Sequence, residues 1–224
     1  SIEENGNQYA KHVVRLLRSK HGCAVDVNGT SLTDRVKACA GMMLHEMVPI
    51  LCQLFLRLQN MKVKGLVHGC WTSDNVILCR RRENRLAVIV DGFVVRPVGT
   101  ESQYNADTRT VCMQSLLHET TTYADDVFAM GCFVFFMFTG KTLFCGFTDD
   151  ELLHDMMLLL GPPRRLPLFK RGLVAKVPSA TQQLRRVLAV HNSCRIRCRQ
   201  ISESQLTQLA GFLSGLLCAT PEDR

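Results

Sequence analysis

Apolar residues recur along the chain in runs whose lengths and spacing predict a mixed fold. Residues 126–139 are apolar on almost every side and end at Gly140, which predicts a helix in the middle of a domain. Residues 47–61 predict a second apolar helix, with Pro49 in its first turn and Gly65 as its stop. The centre of the domain is therefore expected to be helical.

Shorter patterns predict small strands and further helices. Residues 10–17 and 23–27 are expected to form strands, and the β-branched runs 76–78 and 86–90 are expected to form a hairpin. The remaining helices are expected from Asp34, with Ser31 or Thr33 as the N-cap, and over residues 150–160, 180–189 and 203–218. This order indicates an α+β domain that is mainly helical.

Composition supports a globular domain and favours a reducing compartment. Of the 224 residues, 46% are hydrophobic and 21% are charged, a balance typical of globular domains. The longest apolar runs are too short to cross a bilayer, so no membrane partner is expected. No signal peptide is expected from residues 1–30. The 11 cysteines form no C-x-x-C pair, which is typical of reduced thiols in the cytosol or nucleus. Several lie in apolar segments and are expected to be buried: Cys39, Cys52, Cys132 and Cys218.

The net charge of +7 allows an acidic partner. Basic residues cluster at 80–82, 164–165, 170–171, 185–186 and 195–199. Such clusters would attract nucleic acid, acidic peptides or phosphorylated segments, although each could equally be a solvated surface. Few aromatic residues accompany them, so nucleic-acid binding is expected at most as a secondary activity.

Four segments, in order, resemble the large lobe of eukaryotic protein kinases. Residues 66–78 (LVHGCWTSDNVIL) resemble the catalytic loop H-R-D-L-x-x-x-N, and residues 126–132 (DVFAMGC) resemble the start of the central helix. Residues 112–114 stand where kinases carry Ala-Pro-Glu, and residues 209–224 are similar to the closing helix of the lobe. The resemblance implies a protein kinase-like fold.

The resemblance also implies an unequal division of the chain. Residues 31–224 would form the kinase-like C-terminal lobe, and residues 1–30 would be a remnant of the small lobe and hinge. The glycine-rich pattern G-x-G-x-x-G is absent from the sequence. Ala10-Lys11 resembles only weakly the kinase strand whose lysine contacts the nucleotide. We therefore expect a reduced or incomplete small lobe.

The residues that would transfer phosphate are replaced. The position of the catalytic aspartate holds Cys70, and the position of the catalytic-loop lysine holds Thr72. Asn75 remains, but one amide oxygen makes a poor magnesium site. At the metal-binding D-F-G motif, the aspartate is either lost as Val90 or retained as Asp91, depending on the alignment. The resemblance therefore implies a pseudokinase that is not an enzyme and needs no cofactor.

Residues that shape the kinase fold are better retained. The resemblance implies that His68 packs internally and that Asp126 accepts hydrogen bonds from the catalytic-loop backbone. It also implies that Arg224 pairs with Gln114, which replaces the usual glutamate. The scaffold would thus be kept while the chemistry is lost.

The finer resemblance is to the Bub family of mitotic-checkpoint kinases. Members of that family have a glycine after the catalytic-loop histidine, as Gly69 follows His68 here, and a short activation segment, as residues 110–117 could be. The resemblance implies a scaffold that binds kinetochore proteins in the nucleus during chromosome segregation. An unconventional kinetochore protein of the kinetoplastid type would fit so divergent a sequence.

Other functions remain open from the sequence. Asp74 could replace the missing base in an atypical active kinase, and Cys70 with His68 could form a thiol nucleophile and its base. His191, Cys194 and Cys198 have a spacing that zinc ligands also use. Trp71 could pack in the core, cover the vacant site or anchor a partner at the surface.

Overall fold

The computed structural model describes residues 15–18, 24–27, 29–69, 71–80, 86–90, 95–100, 116, 120–162, 179–194 and 200–220. These residues form a mixed α+β fold that is mostly helical, as the sequence predicts at this coarse level. The helices are α1 (Leu32–Cys39), α2 (Leu44–Val63), α3 (Tyr123–Thr139), α4 (Asp149–Leu160), α5 (Ala180–Ser193) and α6 (Glu203–Leu216).

The described strands are short and antiparallel. They are β1 (Arg15–Arg18), β2 (Ala24–Val27), β3 (Thr30–Ser31), β4 (Leu66–Val67), β5 (Val76–Arg80), β6 (Leu86–Val90) and β7 (Arg96–Pro97). β1 pairs with β2, β4 with β7, and β5 lies between β3 and β6. The predicted hairpin is therefore confirmed, with Val76 opposite Val90. The first predicted strand corresponds to β1, which covers Arg15–Arg18. Residues 10–14 of that prediction lie outside the described part of the chain.

Helix α3 is the buried centre of the fold, as its apolar sequence predicts. Its buried residues include four phenylalanines: Phe128, Phe133, Phe135 and Phe138. The helix begins at Tyr123, earlier than predicted, because Thr122 is extended and Asp125 accepts a hydrogen bond from the Thr122 N–H at 2.6 Å. It ends at Gly140, whose φ of 72° is left-handed.

Helix α2 also begins before its predicted start. The expectation that Pro49 lies in its first turn was wrong, since the helix starts at Leu44 and Pro49 lies inside it. Glu46 accounts for the early start, because its carboxylate accepts the Met43 N–H at 3.1 Å and so satisfies a donor at the N-cap. Capping thus outweighed the preference of proline for the first turn.

The smaller helices agree with their predictions apart from their ends. Ser31 is the N-cap of α1, since its hydroxyl accepts the Asp34 N–H at 3.0 Å. Asn192, at the end of α5, holds the chain before α6: its amide donates to the Ile201 carbonyl and accepts the Ile201 N–H, both at 3.0 Å. This side chain therefore pairs α5 with the segment that leads into α6.

The burial of the described cysteines differs in part from the prediction. Cys132 is buried, whereas Cys52 is exposed and Cys39 and Cys218 are half-buried. Cys52 lies on the outer side of an amphipathic helix, so its apolar neighbours in sequence do not cover it.

No helix in the described ranges combines the length and apolarity that a membrane span requires.

Candidate functional site

The candidate site is the loop that joins β4 to β5, residues 68–75. β4 is fixed at its side by β7, with Val67 opposite Arg96. At Gly69 the backbone is left-handed, with a φ of 66°, and a Cβ there would lie 3.3 Å from the Arg96 guanidinium and from the Thr121 methyl group. Both the conformation and the close neighbours therefore favour glycine after His68.

Asp126, in the first turn of α3, holds this loop by its backbone. Its Oδ2 accepts the His68 N–H and its Oδ1 accepts the Gly69 N–H, both at 2.8 Å. The carboxylate is 2% exposed, and these contacts join residues that are 58 and 57 positions apart in sequence. The loop thus lies against the start of the buried helix and is held there by two hydrogen bonds to Asp126.

Burial changes the acidity of Asp126. Desolvation raises its pKa from 3.8 to about 6, and the Asp125 carboxylate adds to the rise. The hydrogen bonds from the backbone of His68 and Gly69, together with the Trp71 side chain, oppose it. Burial is the larger effect, so the anchor of the loop titrates well above an ordinary aspartate.

Aromatic packing holds the loop as well. His68 is fully buried, and Trp71 stacks on it with ring centroids 4.4 Å apart. The Trp71 indole also contacts Phe133 of α3 in an edge-to-face arrangement, with ring centroids 6.2 Å apart. Trp71 is only 2% exposed, so the alternative that it anchors a partner at the surface is wrong, and the core alternative is correct.

The second half of the loop is a 3₁₀ turn, Ser73–Asn75, which begins at a hydroxyl cap. Thr72 Oγ1 accepts the Asn75 N–H at 3.2 Å. Thr33 of α1 contacts the same turn through a 2.6 Å hydrogen bond between its hydroxyl and that of Ser73. Thr72 therefore has a local structural role in this turn.

The hairpin brings the predicted metal positions to one place in the backbone. Val76 follows Asn75 and pairs with Val90, so the start of β5 and the end of β6 are neighbours. The side chain of Val90 is outside what the structure describes. The same holds for four whole residues among the predicted site positions: Cys70, Asp91, Gln114 and Arg224. The predicted pair of Arg224 with Gln114 stays a prediction.

Asp125 and Arg96 belong to this region and were missed from the sequence. Asp125 is 8% exposed and binds the Thr122 backbone, and Arg96 lies beside Gly69. The pattern of Thr122 followed by Asp125 is a helix-start signature that could have identified Asp125. No sequence signal identifies Arg96, because its position depends on the pairing of β7 with β4.

The described residues give little support to the other chemistries. The full burial of His68 against Trp71 leaves it poorly placed as a base for an exposed reaction. No three metal-ligating side chains come together in the described ranges, and Cys198 lies outside them. His191 packs edge-on against Phe135 at 5.7 Å, and burial, together with nearby Lys141, lowers its pKa.

The basic clusters are mostly outside the described residues. Within them, Arg185 forms an ion pair with Glu203 at 2.6 Å, in which both side chains are substantially exposed. The pair offsets one positive charge of its cluster.

Comparisons with known proteins do not assign the chain to a family. Neither protein-family models nor curated proteins match it.

Proposed function

We propose that this chain is a catalytically inactive pseudokinase domain that acts as a protein-interaction scaffold. Its place would be at kinetochores in the nucleus, where it would bind other kinetochore proteins during chromosome segregation. The observation that carries the proposal is that buried Asp126 accepts two hydrogen bonds, one from the His68 N–H and one from the Gly69 N–H. The loop so held has Cys70 where phosphoryl transfer needs a carboxylate.

Two further observations support an inactive site. Thr72 offers a hydroxyl that caps a turn, where kinases present a cation to the transferred phosphate. Asn75 is retained, but one amide is a weak ligand for magnesium. Because the parts of such a site act as a unit, the loss of base and cation together is expected to remove the activity.

The test of inactivity is direct. Purified chain with magnesium and labelled ATP should transfer no phosphate to itself or to a general protein substrate, and magnesium-ATP should not raise its melting temperature. The matched variant is Asn75→Ala, which removes one of the two candidate metal ligands that the sequence retains, the other being Asp91. Transfer by the wild-type chain that is lost in Asn75→Ala would overturn the proposal and favour the atypical active kinase.

The kinetochore proposal rests on the glycine after His68 and needs its own test. Tagged chain purified from dividing cells should recover kinetochore proteins, and the tag should form foci at centromeres in mitosis. Diffuse signal with no kinetochore proteins recovered would contradict this location, while leaving the inactive scaffold in place.

Nucleic-acid binding is the remaining alternative, and it has a separate readout. Affinity for DNA or RNA through the basic clusters would fall steeply with salt. Weak binding without that dependence would exclude it.

A further inference from the structure

Two helices share an exposed apolar surface that the proposed function does not use. We name it the α2–α6 face, and it consists of the exposed side of α2 between Val48 and Leu56 together with the exposed side of α6. Its members are Val48, Cys52, Phe55, Leu56, Gly211, Phe212 and Gly215. On α2 these positions follow a spacing of three or four residues, which places them on one side of the helix.

The α2–α6 face is continuous across the two helices. Phe55 and Phe212 meet edge-on with ring centroids 6.1 Å apart. The side chains around this contact are substantially exposed: 56% for Val48, 58% for Leu56 and 46% for Phe212. Exposed apolar side chains that lie next to one another in this way often mark an interface.

The face also lacks charge. Residues 47–56 and 204–216 contain no Asp, Glu, Lys or Arg, although 21% of the chain is charged and its net charge is +7. Depletion of charge is the compositional mark of an interface core. A charged partner surface would lose its hydration here without gaining a counter-charge.

Within the part of the chain that the structure describes, no packing contact accounts for two glycines on the face. A Cβ at Gly211 or Gly215 would meet nothing within 4 Å, whereas one at Gly131 of α3 would lie 2.6 Å from Leu217 Cγ. A glycine inside an exposed helix costs about 1 kcal/mol relative to alanine. The flat strip that the two glycines leave beside Phe212 would let another helix approach closely.

We propose that the α2–α6 face binds a second copy of this chain in a two-fold symmetric dimer. In a symmetric dimer the same patch occupies both sides, so an uncharged apolar surface meets its own complement. The contact also lets two positively charged chains approach where neither carries charge. The exposed sides of two helices, each about 10 Å wide and about 20 Å long, cover less area than the about 800 Å² that each partner buries in a standard interface. The dimer should therefore be weak, with a micromolar dissociation constant.

Sedimentation velocity of the purified chain from about 5 to 200 µM tests the proposal. The wild-type chain should form a growing fraction of dimer across this range. Phe212→Glu should weaken the association at least tenfold, because it would bury a carboxylate in an apolar contact that offers it no counter-charge. Phe147→Glu is the matched control, since Phe147 is 88% exposed and lies outside the face.

A second variant separates an interface from a fold defect. Gly211→Gln should raise the melting temperature of the monomer, because glutamine is the better helix former, and should still weaken the dimer several-fold. A wild-type chain that stays monomeric at the highest concentration would overturn the proposal. So would a dimer that survives Phe212→Glu, or one that Phe147→Glu weakens equally.

Discussion

The Trp71 indole lies on the His68 imidazole, with ring planes 28° from parallel and centroids 4.4 Å apart. Both residues belong to the loop that Asp126 holds through hydrogen bonds to its backbone. Trp71 adds an apolar contact to Phe133 of the same helix. The loop is therefore attached to α3 by a polar and an aromatic contact at once, and each can be tested by substitution.

Trp71→Ala should destabilise the protein by about 3–5 kcal/mol, because it leaves a large cavity between His68 and Phe133. Trp71→Leu should cost less, since leucine refills part of the volume. Urea unfolding followed by circular dichroism is the measurement, as Trp71 is the only tryptophan and its fluorescence is lost. Val63→Ala, at a side chain that is 83% exposed, is the control and should change the free energy of unfolding by under about 0.5 kcal/mol.

Asp126→Ala should be strongly destabilising, because the His68 and Gly69 N–H groups both lose their acceptor. Each buried donor without an acceptor costs about 1–3 kcal/mol. Asp126→Asn keeps one carboxamide oxygen and should cost less at neutral pH. The exposed Asp150→Asn serves as control and should cost at most about 1 kcal/mol. Equal losses in Asp126→Ala and Asp150→Asn would exclude an anchoring role.

The raised pKa of Asp126 predicts a pH dependence of stability with a definite sign. Its folded pKa of about 6 exceeds the ordinary value of 3.8, so the folded protein binds the proton more tightly. The stability from this group is fully present below pH 3.8 and is lost as the pH rises through about 6. The total change is on the order of 3 kcal/mol.

The measurement for this pH dependence is the wild-type free energy of unfolding minus that of Asp126→Asn. This difference cancels the titration of the other carboxylates. It should fall as the pH rises from about 4 to about 7 and level off above that. A difference that stays constant over this range would show that Asp126 titrates normally, and a difference that rises would show a lowered pKa; either result would contradict the prediction.

Two glycine substitutions should have opposite effects. Gly131→Ala brings a Cβ to 2.6 Å from Leu217 Cγ, so it should destabilise the protein by about 1–3 kcal/mol through overpacking. Gly215→Ala adds its Cβ in open space and should stabilise α6 by up to about 1 kcal/mol. Thermal unfolding at concentrations well below the micromolar dissociation constant proposed for the dimer, where the chain is expected to be monomeric, compares them. If Gly131→Ala is neutral, α3 and the end of α6 do not pack as closely as described.

The sequence predicted the helices better than their first residues. The apolar run of α3 identified a buried helix, and Gly140 marked its end correctly. Its start depended on Asp125, and that of α2 on Glu46, because each carboxylate satisfies a backbone donor before the apolar pattern begins. Capping contacts of this kind are local but involve polar residues, which hydrophobic periodicity does not detect.

The amino-acid sequence by itself determined the buried centre of the domain and the β5–β6 hairpin. These follow from hydrophobic period and turn residues, which are local properties of the chain. Only the tertiary structure decided that Trp71 is internal, that Cys52 is exposed and that Arg96 lies beside Gly69. Burial and proximity depend on which distant elements pack together, and contacts such as the one from Asp126 to His68 span 58 residues that local patterns do not connect.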